Sequence, residues 1–130
     1  MKKILIVVAN YYPEISVELI KSASQRLKDY NISKISAPGV YEIPVLISRN
    51  INNFDGFVAL GCVIKGETPH FELICNSVTN GIINLSINSK KPIGNGILTC
   101  FNKDQAMARL NKGAEAAEAV KQVLNNVTIK

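Results

Sequence analysis

The chain has 130 residues, 47% hydrophobic and 19% charged, enough for one modest core and too apolar for a disordered polypeptide. Its formal charge of +5 is scattered, with no dense basic tract or interleaved aromatics, which argues against nucleic acid and suits an anionic small substrate. Three cysteines without a CxxC pair and a single histidine leave neither a disulfide framework nor a metal site to expect.

Residues 4–9 form an unbroken apolar run, as expected of a parallel strand buried on both faces. The run is too short for a signal peptide and enters Asn10-Tyr11-Tyr12-Pro13 rather than a small-residue cleavage site. Nothing approaches membrane-spanning length, so the chain reads as cytoplasmic. Pro13 suits a first helical turn, and Ile15, Leu19, Ile20, Ala23 and Leu27 share one face of a helix that Asn31 closes. A weaker strand at 32–37 ends in Pro38-Gly39, and a helix runs from about Tyr41 to Asn50. The third strand is 56–63. After His70, Phe71, Ile74, Val78, Ile82 and Leu85 line one helical face. A fourth strand at 92–99 precedes a helical region from 103 to about 125, with a kink or break at Asn111-Lys112-Gly113. Cys62 and Cys75 fall within a strand and a helix and read as core filling.

Strand and helix thus alternate across one domain, residues 1–130, which implies a four-stranded parallel sheet with right-handed crossovers and helices on both faces. Ligands bind such sheets beyond the carboxyl ends of the strands. Loops 10–13, 38–42, 65–70 and 99–102 gather there.

Residues 59–71, Ala-Leu-Gly-Cys-Val-Ile-Lys-Gly-Glu-Thr-Pro-His-Phe, are the most informative stretch. An apolar strand ends in a Gly61-x-x-x-x-Gly66 turn, and the one histidine stands at the start of a helix. Backbone N–H groups there attract anions, and an imidazole beside them could move protons near a bound phosphate. The spacing fits neither a Walker loop nor a dinucleotide fingerprint. Tyr11 and Tyr12 either stack on a flat ring or fence the sheet edge. Glu42 either caps a helix or accepts from a ligand. Arg109 and Lys112, three residues apart, share one helical side.

Pro38-Gly39-Val40-Tyr41-Glu42-Ile43-Pro44, residues 59–71, Gly96-Ile97-Leu98-Thr99 and Asn111-Lys112-Gly113-Ala114-Glu115-Ala116-Ala117 together resemble the lumazine synthase family, over nearly the whole chain and in order. The resemblance implies a flavodoxin-like three-layer αβα sandwich. It also implies condensation of 5-amino-6-(D-ribitylamino)uracil with 3,4-dihydroxy-2-butanone 4-phosphate, without a cofactor, to 6,7-dimethyl-8-ribityllumazine, phosphate and water. By the same resemblance His70 shuttles protons, while Glu67, Thr68 and Arg109 bind the phosphate. Tyr11 stacks on the ring, and Val40, Tyr41 and Glu42 hold the ribityl chain and ring edge. Val63, Ile64 and Lys65 meet the pyrimidine through backbone groups, and Lys112 is a second basic residue at the site.

The family's sites lie between adjacent subunits of a homo-pentamer, twelve of which can close into a 60-subunit shell, with riboflavin synthase as a further partner. Three departures stand out: Asn95 replaces a phenylalanine of many relatives, the N-terminal extension is missing, and the segment from Arg109 to Asn111 is short. The last two favour an isolated pentamer. The rival reading is a non-catalytic flavin or pterin binder on the same scaffold. A receiver-type module is disfavoured because Asn10, Lys65 and Thr99 stand where a Mg²⁺-binding acidic cluster belongs.

Overall fold

The computed structural model describes residues 1–66 and 69–129. Four strands, β1 (Lys3–Ala9), β2 (Asn31–Ala37), β3 (Gly56–Ile64) and β4 (Ile93–Cys100), form one sheet in the order β2-β1-β3-β4. Every pairing is parallel. The helices are α1 (Pro13–Gln25), α2 (Ile43–Arg49), α3 (His70–Ser89), α4 (Lys103–Met107) and α5 (Lys112–Leu124). The helices on both faces of a parallel sheet are those expected from the alternation, and the strand order makes the fold the flavodoxin-like αβα sandwich that the resemblance implies.

Alternate strand residues feed two separate cores. Ile4, Ile6, Val8, Val58, Leu60, Cys62, Leu98 and Cys100 pack against α1 and α5. Leu5, Val7, Ala9, Phe57, Ala59 and Ile97 pack against α2 and α3. This is why β1 and β3 have no polar face: a strand covered by helices on both sides has no solvent side.

Local chemistry sets the joints. Pro13 opens α1, where its missing N–H costs nothing. The buried Ser16 hydroxyl donates to the carbonyls of Tyr12 and Ala9, tying the first helical turn to the end of β1. Lys90 closes α3 at φ 61°, a left-handed position usually taken by glycine.

Three expectations need correction. α1 stops at Gln25, and Leu27 is buried beyond its end rather than on it. Residues 40–42 form a 3-10 turn before α2 begins. The last helical region is two helices, broken at 108–111, and Gly113 lies inside α5.

Candidate active site

Because all four strands run the same way, their carboxyl ends and the loops that follow share one edge of the sheet. Of the loop 65–70, Glu67 and Thr68 lie outside the described residues. His70 is the first residue of α3, exposed at the head of a 20-residue helix.

Gly61 is not a turn residue. It is buried inside β3, where a Cβ would come within 2.9 Å of Val40 Cγ2 and 3.3 Å of Ala9 Cβ. Its missing side chain lets the Val40–Glu42 turn lie down on the sheet. Gly66 has open space where a Cβ would stand, so the glycine-flanked turn expected from the spacing has one loop glycine rather than two.

The tyrosine pair divides in function. Tyr12 packs against the α1–α5 core, and burial first, then the neighbouring Tyr11, raises its pKa above 10.0. Tyr11 is 73% exposed, its ring 4.9 Å from that of Tyr12 and at 80° to it. Tyr12 is the fence, and the Tyr11 ring is left open to solvent.

Glu42 makes no side-chain capping bond at the start of α2. Gly39 leaves room for its carboxylate, since a Cβ there would lie 3.1 Å from Oε1. With Tyr41, Pro44, Val45, Ser77 and Val78 it lines a cleft of about 390 Å³ between α2 and α3.

Lys65 is held from three sides. Its backbone N–H donates to Cys100 O at 2.8 Å, which leaves only its carbonyl for a ligand. Its ammonium stands 3.7 Å from Glu72 and 5.3 Å from the centre of the Phe101 ring. Phe101 in turn stacks on Phe71 with ring centres 6.3 Å apart. The sequence reading did not single out Phe101, although its position directly after β4 was a usable signal.

Asn95, Arg109 and Lys112 meet in a second cleft, of about 550 Å³, on the open edge of β4. Thr79 of α3, Thr99 and Glu115 share its lining. Arg109 lies in the break between α4 and α5, and its guanidinium donates to Cys100 Sγ at 3.8 Å. The expectation of one shared side holds for Arg109 and Lys112, but a turn rather than a continuous helix produces it.

Cys62 sits near this edge without a nucleophile's character. Burial, and then the nearby Cys100, pushes its thiol up to about 11, so it stays protonated at neutral pH. Cys75 is only half-buried, which is less than core filling. Among the described residues no group of three or more His, Cys, Asp and Glu could hold a metal ion. No helix among them is long and apolar enough to cross a membrane.

The sequence model of the 6,7-dimethyl-8-ribityllumazine synthase family matches residues 1–128. A protein of that name from Corynebacterium kroppenstedtii is 39% identical, over 88% of this chain and 77% of its own. The corresponding figures for Bartonella tribocorum are 44%, 89% and 83%, and for an Arthrobacter species 38%, 98% and 84%. Among solved structures a flavone reductase covers 98% of this chain and 66% of its own at 12% identity and a TM-score of 0.47, a likeness too slight to carry an argument. The length and depth of the sequence matches settle the matter: the chain belongs to the 6,7-dimethyl-8-ribityllumazine synthase family and is an enzyme of riboflavin biosynthesis.

Proposed function

We propose that this chain condenses 5-amino-6-(D-ribitylamino)uracil with 3,4-dihydroxy-2-butanone 4-phosphate at sites completed between adjacent copies of a cytoplasmic homo-pentamer. The observation that carries the shared site is the split of the candidate residues into two clefts. Tyr41 and Glu42 line one, while Asn95, Arg109 and Lys112 line the other. α3 stands between them, giving Ser77 and Val78 to the first and Thr79 to the second. Two unlike patches on one chain meet only head to tail, and a head-to-tail contact that closes makes a ring. Exposed Tyr41, Val45, Leu73, Ile83 and Ile87 on the same layer supply the apolar surface such a contact buries.

Within that site Tyr11 stacks on the pyrimidine, Val40, Tyr41 and Glu42 take the ring edge and ribityl hydroxyls, and the ends of Val63, Ile64 and Lys65 offer backbone groups. Glu67, Thr68 and Arg109 hold the phosphate. The uracil's amine and the ketone form an imine with loss of water, phosphate leaves by elimination, and ring closure follows with loss of a second water. His70 moves the protons. Arg109 steadies the departing phosphate with a charge-assisted, two-pronged contact. Most of the acceleration is orientation of two bound molecules, so each side chain contributes only part of it. No observation favours the non-catalytic flavin or pterin binder over the enzyme.

Purified protein given both substrates yields a fluorescent lumazine and inorganic phosphate. No product anywhere from mildly acid to mildly alkaline pH rejects the proposal. Sizing of the same sample gives a pentamer; a monomer rejects the shared site, and a 60-subunit particle rejects the isolated ring.

A further inference from the structure

The last residue of β4 accepts from two parts of the candidate site at once. Cys100 is buried, and its carbonyl takes the Lys65 N–H at 2.8 Å, which ties the end of β4 to the chain leaving β3. Its sulfur takes an N–H of the Arg109 guanidinium at 3.8 Å. Local bonds define the return of the chain from Cys100 to Arg109. The Phe101 N–H donates to Gln105 Oε1 at 2.8 Å and the Gln105 N–H to Asn102 Oδ1 at 2.9 Å, a reciprocal cap on α4. Ala106 then buries α4 in the core. In the turn that follows, the Arg109 N–H donates to Ala106 O and the Arg109 carbonyl accepts from Lys112 N–H, both at 3.0 Å.

Those bonds fix where the Arg109 side chain starts but not where it points. A long exposed arginine has many rotamers to lose. Among the described residues no carboxylate stands within ion-pair distance of it. The restraint comes from the thiol. Sulfur is a weak acceptor and brings no formal charge, so it engages one N–H and leaves the others, with the positive charge uncancelled, to an anion. A carboxylate in its place would orient the guanidinium too, but it would compete with a phosphate for it.

We propose that Cys100 is a positioning residue that holds the Arg109 guanidinium at the end of β4 through its sulfur. This deepens the site reading above and rests on it for the phosphate that Arg109 meets. The test uses the intact protein and a pair of variants close in volume. Cys100→Ser keeps an acceptor at the strand end, and Cys100→Ala removes it. Cys100→Thr and Cys100→Val repeat the comparison at larger volume if the smaller pair fails to assemble. Steady-state kinetics with both substrates are joined by inhibition with inorganic phosphate. Phenylglyoxal modification with peptide mapping reads Arg109 without any substrate.

Cys100→Ala raises the KM for the phosphorylated ketone and the Ki of inorganic phosphate about fivefold, and Cys100→Ser restores both to within about twofold of the parent. The KM for the pyrimidine stays near that of the parent in each. Arg109 is modified faster in Cys100→Ala than in Cys100→Ser. On an Arg109→Ala background, Cys100→Ala adds no further loss. Equal losses in both variants, or the same loss with Arg109 already removed, would make Cys100 a packing residue and overturn the inference. So would Arg109 modification at one rate in parent, Ser and Ala. If modification differs as expected while ketone and phosphate constants stay at parent values even in Arg109→Ala, the hold on Arg109 stands and its phosphate role falls.

Discussion

On one side of the sheet α5 meets α1 and β4 backbone to backbone; on the other, α3 buries only Val78 and Ile82 along its 20 residues. A Cβ on Gly113 would strike the Leu19 carbonyl and Ser22 Oγ, and one on Gly94 the Ala116 carbonyl. Gly113, Ala114, Ala116 and Ala117 let α5 lie that close, and the Ser22 hydroxyl adds a bond to Leu110 O. α3 instead leaves Leu73, Ile83 and Ile87 50–66% exposed. The first layer packs at close approach within one chain. The second is a surface of the kind that a neighbouring copy covers, and both candidate clefts border it.

The sharpest way to break this contrast is to charge the open layer. Ile83→Glu with Ile87→Glu should leave the far-ultraviolet circular dichroism of the parent, shift its mass on sizing to a monomer, and remove turnover. An assembly of unchanged size would mean that α3 is not an interface. Charging costs nothing in the closed layer's currency, which is volume. Gly94→Val should therefore destabilise the fold by about 4 kcal/mol in urea unfolding, because a backbone carbonyl cannot step aside. A loss under about 1 kcal/mol would show that α5 packs more loosely than described.

At the sheet edge the effects are smaller and kinetic. Arg109→Ala should lower kcat/KM for the phosphorylated ketone about 100-fold, largely through KM. His70→Ala should lower kcat about tenfold or more. Parent-like constants in either variant remove that residue from the mechanism.

The smallest effect belongs to the exposed Glu14–Lys103 pair, which joins the start of α1 to the start of α4. The hydrogen bond from Lys103 lowers the Glu14 carboxyl below 4.5. Its contribution is therefore present above 4.5 and lost as pH falls through the lower folded value. Lys103 is raised above 10.5 by the same bond, so its share is whole below 10.5 and lost above the folded value. Glu14→Gln should slightly flatten the melting temperature against pH at the acid end and change nothing at neutrality beyond a small constant offset. A steeper acid limb would refute the pairing.

How far the sequence carried the reading differs from element to element. β1 and β3 were legible because strands covered on both faces must be apolar throughout, and a run such as Ile4 to Ala9 has few other uses. The end of α1 was not, since Leu27 keeps the helical period while being buried by the core after the helix has stopped. Gly61 and Gly113 looked like turn and break signals. They are close-approach residues, under Val40 and against Leu19 respectively, and a single chain of letters does not tell the two uses apart.

The alternation of elements by itself determined the parallel sandwich and brought the four loops to one edge, because parallel strands put their carboxyl ends together. The roles assigned to individual side chains came instead from the resemblance to the lumazine synthase family, since Asn95, Arg109 and Lys112 stand at no strand end. Tertiary structure alone decided which of them are neighbours: Asn95, Arg109 and Lys112 in one cleft, Tyr41 and Glu42 in another, with α3 between. The reason is geometric. Periodicity fixes the face a residue occupies on its own element, while the depth at which elements dock, set here by missing side chains at Gly61, Gly94 and Gly113, fixes what that face meets.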